Sequence, residues 1–235
     1  MSSSGGKPRL EQYRGPLASS EIAEGINAAR KNSARLAKDA RLLFDNERYA
    51  SAVALSILAI EEAGKDPILR GLAVARDGAE LKKAWVDYRS HTKKNVLWSL
   101  MDSLLKGARR ASDFLPMFDP DAAHPFILDQ LKQITFYTDC LGKRHWSVPE
   151  NIATKEAAES LVKIAEIHSQ CRETTIEEID LWIQYMKPVW HATDASREQA
   201  LIEWDREMRH RGLVKANNTT TMEQFFVEGV YPPEE

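Results

Sequence analysis

The chain has 235 residues, of which 43% are hydrophobic and 29% charged, the balance of a folded globular protein and not of a disordered one. A net charge of -3 supplies no global basic field of the kind that marks many nucleic-acid binders, although local basic patches stay open. Cys140 and Cys171 sit far apart with no CxxC or Cys/His spacing, which argues against a disulfide framework or a zinc site and fits a reducing cytoplasm.

The first stretch, MSSSGGKPRLEQYRGP, is polar and broken by glycine and proline, so a flexible tail is expected over residues 1–18. From Ser19 a Ser-Ser-Glu start leads into apolar or alanine positions at Ile22, Ile26, Ala29, Leu36, Ala40 and Leu43, which predicts one long helix to about Asn46. A second helix, from about Arg48 to Lys65, is apolar nearly all round over Ala52 to Ile60, which predicts a place at the centre of a bundle. Its run SAVALSILAI is about half the roughly 20 residues needed to cross a bilayer, so no membrane span is expected. The N-terminus shows no basic-then-apolar signal pattern, so no secretion is expected either. Asp66-Pro67 reads as an N-cap followed by proline at the first position of a short third helix.

Leu81, Trp85, Tyr88, Thr92, Val96, Leu100 and Leu104 predict a long amphipathic helix from Ala79 to about Leu105. The proline-rich DFLPMFDPDAAHP is a connection, and FILDQLKQITFYTDCLG reads as a helix stopped by Gly142. KRHWSVPEN reads as a loop. Thr154 to about Lys187 then gives a very long helical pattern through Leu161, Ile164, Ala165, His168, Cys171, Thr175, Ile179, Trp182 and Met186. Asp194 to Leu213 is the last long helix, and MEQFFVEG adds a short turn before a tail at 231–235. No strand alternation bounded by Asn-Gly or Asp-Gly is present, so the expected fold is all-α, a bundle of about six main helices.

The central helix ends in LSILAIEEAGK. Glu61 and Lys65 are four apart and Glu62 and Lys65 three apart, so both acids can reach the lysine. Carboxylates at a helix C-terminus oppose the macrodipole by a few tenths of a kcal/mol, so they call for partners. Glu62 shares a stripe with Leu55 and Leu58 and is expected to face the core, with Glu61 paired to Lys65. The candidates to meet a buried acid lie in WVDYRSHTKKN: His91 and Lys94 three apart, Tyr88 and Asn95 a turn either side of His91, and Arg89 alongside. Glu, Lys, Arg and His on two packed helices can do acid/base chemistry on a phosphodiester. They can equally form a polar network that fixes helix register and does no chemistry.

EExxK, then YRSHTKK, then FYTD before a loop with tryptophan and proline resembles the AbiV family of bacterial abortive-infection proteins, part of the HEPN superfamily. The matching pieces are Ala37 to Lys65, Tyr88 to Lys94 and Phe136 to Pro149. The resemblance implies a HEPN-like domain over 19–150, with helices from 151–230 packed on the same bundle as a C-terminal extension. It also implies a cytoplasmic phage-defence effector that arrests translation or growth, pairs as a homodimer, and has RNA, a phage-encoded activator or a ribosomal component as partner. Many HEPN proteins are metal-independent RNases in which the ribose 2'-hydroxyl attacks the adjacent phosphate. Their motif is an arginine followed, after four to six intervening residues, by a histidine, and none of the six histidines here has that spacing; one residue separates Arg89 from His91 and three separate Arg206 from His210. The catalytic set expected for a nuclease is therefore Glu62, Lys65, Arg89, His91 and Lys94, with His91 as proton shuttle and Glu61, Tyr88, Asn95, Tyr137 and Asp139 in support. No cofactor and no metal is expected. The alternative expectation is a non-enzymatic helical protein that binds a phage or ribosomal protein.

Overall fold

A computed structural model describes residues 10–95, 103, 107–109, 113, 123–170, 172–215 and 218–229. The first helix, α1 (Ser19–Asp45), begins where Glu21 reaches back to accept from the Ala18 backbone N–H at 2.8 Å. Residues just before it are tied down: Tyr13 and Gly15 offer their carbonyls to Arg89 and to the Trp85 indole N–H.

Helix α2 (Tyr49–Ala63) is the hub, as its all-round apolar character predicts. It packs against α1, against α6 (His124–Phe136) and against α8 (Lys155–Ser169). Val53, Ile57 and Ile60 meet Leu36 and Ala37 of α1, Leu128 of α6 and Leu161, Ile164 and Ala165 of α8 in the main core. A second core joins Ile22 and Ile26 of α1 to Leu69 and Leu72 of α3 (Lys65–Ala73), Trp85 of α4 (Gly78–Arg89) and Ile179 of α9 (Ile176–Met186). The fold is thus all-α, with one small hairpin added.

Several boundaries differ from the sequence-based expectation. The helix expected over 79–105 stops at Arg89, because Ser90 turns extended (φ -79, ψ 128) and caps a short α5 (His91–Lys94) by accepting from the Lys93 N–H. Val96, Leu100 and Leu104 of that pattern, like the proline-rich connection after it apart from residues 113 and 123–125, lie outside the described residues. Asp66 is no cap either. α3 starts at Lys65 directly after Gly64, leaving the Asp66 carboxylate inside the first turn and free to bind arginines.

The helix expected to run to Gly142 ends at Phe136, after which the β-branched and aromatic run through Thr138 goes extended. Strands β1 (Asp139–Leu141) and β2 (His145–Ser147) pair antiparallel, with Cys140 opposite Trp146. Gly142 (φ 50) and Arg144 (φ 65) make the turn, in the left-handed region. A one-turn helix α7 (Pro149–Ile152) leads into α8.

The helix expected over 154–187 is two helices, α8 and α9. Between them Asn27 of α1 exchanges two hydrogen bonds with the Thr174 backbone, at 2.8 and 2.9 Å, and Thr175 caps α9 by accepting from the Glu178 N–H. Helices α10 (Asp194–His210) and α11 (Met222–Val227) complete the C-terminal part. That part is locked to α1 and α3 by a charged network: Arg30–Asp66 2.5 Å, Asp66–Arg70 2.8 Å, Arg70–Glu178 2.5 Å and Glu178–Arg172 2.6 Å. Burial alone would lower the Arg70 pKa, but Asp66 and Glu178 hold it above the ordinary arginine value. Its guanidinium also lies over the rings of Trp182 and Trp204. Among the described residues no helix is long and apolar enough to cross a membrane.

Candidate functional site

The end of α2, the short α5 and the middle of α6 converge on one carboxylate. Glu61 is 2% exposed. Its Oε2 lies 2.7 Å from Nδ1 of His91 and its Oε1 accepts from Nζ of Lys132 at 2.6 Å. Because a carboxylate only accepts, the His91 Nδ1 carries the proton in this contact, and Nε2 is left for solvent or a substrate. The imidazole is 55% exposed, so the pair consists of a sealed acid and an accessible ring.

The acid that faces the interior is Glu61 and not Glu62, the reverse of the sequence-based assignment. Ile57, Ile60 and Glu61 are on the buried stripe of α2, whereas Leu55, Leu58 and Glu62 are half-buried. A helix apolar nearly all round leaves its rotational phase undetermined by pattern, and the packing of α6 and α8 sets it. Glu62 instead takes Lys65 as its i+3 partner at 2.6 Å, and the Lys65 ammonium lies 5.3 Å from the centre of the Tyr88 ring.

Lys132 is a member the sequence reading missed, together with Asp129, whose Oδ1 is 2.8 Å from the Lys132 Nζ. A signal was available: Lys132 stands four after the buried Leu128 and three before the buried Thr135, in register with the apolar stripe of its helix. Burial opposes the charge on Lys132, but hydrogen bonds to Asp129 and Glu61 outweigh it and hold its pKa above the ordinary lysine range.

Lys94 behaves in the opposite way. It is 7% exposed and, among the described residues, makes no hydrogen bond or ion pair. Burial is the main cause that lowers its pKa, with repulsion from Lys65 and Lys132 adding to it against the attraction of Glu61 and Glu62. Its backbone is held hard against the end of α2: a Cβ added at Gly64 would lie 2.0 Å from the Lys94 carbonyl oxygen. Only a residue without a side chain permits that approach, which seats α5 on the end of α2 and brings His91 onto Glu61. Asn95 is fully buried and donates to the Pro125 carbonyl at 3.3 Å, with its Oδ1 unpartnered among the described residues.

The other expected residues fall outside this cluster. Arg89 turns to the N-terminal segment and donates to the Tyr13 and Trp85 carbonyls. Tyr137 is exposed and touches Phe136, and Asp139 is exposed in β1, accepting from the Cys140 N–H. The basic stretch at 209–211 is engaged internally: Arg209 with Asp205 and the Asn218 and Thr220 carbonyls, Arg211 with Glu207 and Glu177.

Glu61, His91 and Asp129 each offer a ligand atom within 4.8 Å of the others, a donor set that suits a divalent cation. Lys132 Nζ already bridges the two carboxylates, so a metal there would compete with a tethered ammonium. The arrangement as it stands offers an oriented imidazole for proton transfer with lysine charge beside it. A family model described as AbiV, of the HEPN type, matches residues 21–170, which takes in all but the first two residues of α1, then α2 to α8 and every residue of this cluster. No curated protein and no solved structure matches the chain at a significant level.

Proposed function

We propose that this chain, which belongs to the AbiV family of the HEPN superfamily, is a cytoplasmic abortive-infection effector that arrests translation or growth, and that it does so by cutting RNA at the Glu61–His91 site. The observation that carries this reading is the 2.7 Å contact between a sealed Glu61 and a half-exposed His91. A carboxylate on Nδ1 fixes the tautomer and orients the ring, so Nε2 can act as a base and then as an acid.

In that scheme His91 Nε2 removes the proton of a ribose 2'-hydroxyl and the 2'-oxygen attacks the adjacent phosphorus. The bond to the 5'-oxygen breaks and the leaving oxygen takes the proton back from His91, giving a cyclic phosphate and a 5'-hydroxyl. Lys65 and Lys94 contribute positive charge toward the phosphate, and Glu61 with Lys132 keeps the ring in place. The standard HEPN arginine is absent from this spacing, and Arg89 is committed elsewhere. The proposal therefore makes lysines, not arginine, the source of cationic stabilisation. A homodimer would bring a second copy of the site near the first.

The test incubates purified protein, alone and with lysate of phage-infected cells, with total RNA and tRNA. Cleavage that disappears in His91→Ala and in Glu61→Gln supports the reading; intact RNA in every condition, or cleavage unaltered by both variants, refutes it. A second reading, a non-enzymatic protein that binds a phage or ribosomal protein, draws support from exposed apolar side chains on α6 and the hairpin, chiefly Phe126, Ile127, Tyr137 and Trp146. Under it, Trp146→Ser abolishes protection against phage while His91→Ala retains it.

A further inference from the structure

Away from the Glu61 cluster, a cavity of ≈ 410 Å³ runs along α4, within the size range of small-molecule sites. Gly78, Lys82, Trp85, Val86 and Arg89 line it from the helix and Arg14 closes it from the N-terminal segment. The helix residues recur three or four apart, so they share one face. Three side chains in the wall are cationic and, among the described residues, no carboxylate lines it.

The acids of α4 and its cap are spoken for elsewhere. Asp77 accepts from the first N–H groups of the helix, Glu80 is bound to His191 and to the Arg76 N–H, and Asp87 pairs with Lys83. Arg14 and Lys82 make no hydrogen bond or ion pair among the described residues. Arg89 is different: its fork is fixed by two carbonyls and lies 4.9 Å from the centre of the Trp85 ring. Its charge is positioned but not cancelled, and it keeps N–H donors to spare.

Uncompensated positive charge on three sides and an indole and valine wall match a ligand with a compact multivalent anion on a flat apolar body. We propose that this cavity binds a phosphate monoester, with the phosphate held by Arg14, Lys82 and Arg89 and a ring-sized body lying against Trp85 and Val86. A phosphate monoester carries about -1.5 to -2 charge at neutral pH and several acceptor oxygens, which suits an arginine fork better than a monocarboxylate does.

The experiment is calorimetric titration of the full chain with phenyl phosphate, inorganic phosphate and phenol. Phenyl phosphate is expected to bind more tightly than inorganic phosphate, with phenol giving no heat at the same concentrations. Arg14→Glu and Lys82→Glu should each weaken phenyl phosphate at least about tenfold, the loss of one charge-assisted contact. Both residues are exposed and unpartnered, so both variants should keep the wild-type helical signal. Gly78→Leu, at a position where an added Cβ meets open space, should block the cavity, while His91→Ala should bind as wild type. The proposal is overturned by absence of heat at millimolar probe, by equal binding of phenol, by affinity unmoved in Arg14→Glu and Lys82→Glu, or by loss in His91→Ala, which would place the probe at the other site.

Discussion

Replacing Glu61 by leucine tests whether the convergence of α2, α5 and α6 rests on one buried charge. The Lys132 side chain is 6% exposed and its ammonium has two carboxylates, Glu61 at 2.6 Å and Asp129 at 2.8 Å. Removing one partner of a buried pair costs about 3–5 kcal/mol because the other charge is stranded. Asp129 remains as a partly exposed second acceptor, so the lower end, about 3 kcal/mol, is expected. For a chain of this length each kcal/mol moves the melting temperature by about 2–4 °C, which puts the loss at about 6–12 °C by circular dichroism. The double variant Glu61→Leu with Lys132→Met removes both charges and should recover much of that loss, since an apolar pair of similar volume is often neutral or better. His91 adds little to this balance because its ring faces solvent. A Glu61→Leu protein that melts within about 2 °C of wild type, or a double variant no better than the single ones, would refute the view that Lys132 depends on Glu61.

Gly64→Ala sets two effects of opposite sign against each other. Gly64 has helical dihedrals (φ -65, ψ -6), where alanine would ordinarily gain about 0.5–1 kcal/mol, but its Cβ would meet the Lys94 carbonyl at 2.0 Å. A net loss of about 1–3 kcal/mol is expected from the forced backbone shift, and a variant as stable as wild type in urea would contradict the close approach. Lys94→Met probes the depressed pKa of Lys94, for which burial is the chief cause. The folded state then binds fewer protons than the unfolded one over the interval below the ordinary lysine value of 10.5, so wild-type stability gains with pH there. The variant should be the more stable protein below the folded pKa of Lys94, with its advantage shrinking as pH rises toward that ordinary value; a pH-independent difference in urea midpoints would contradict this. Glu178→Ala should cost about 3 kcal/mol or more by leaving Arg70 and Arg172 short of a buried acid. Limited proteolysis should then cut first after residue 170; an unchanged digestion pattern would mean that α9 is held by other contacts.

The helical class was legible in the residues themselves. A long 3.6-period pattern identified α1 and marked the stretch that holds α8 and α9 as helical, and an apolar girth all round α2 put it at the centre, because such a helix is suited by burial on every side. Two helix breaks were also written locally but outvoted by periodicity. Ser90 and Thr175 are capping residues, and Thr175 stands three before Glu178, yet the apolar spacing continues across both. The polar end of α2 was likewise recognisable as needing partners, since carboxylates at a buried C-terminus are costly unless paired.

Tertiary structure alone decided which acid turns inward and what it meets. A helix with no polar face has no preferred rotation in its own sequence, so the choice of Glu61 over Glu62 comes from how α6 and α8 pack upon it. Lys132 enters from a helix about seventy positions further along the chain, a separation across which no local pattern carries information. Arg89 leaves the site because the chain turns at Ser90, which sends neighbouring side chains to different surfaces. The sequence by itself specified an all-α bundle and a charged helix end in want of partners; the packing of distant segments supplied the partners, because burial and hydrogen bonding at that point are properties of three helices together and of none of them singly.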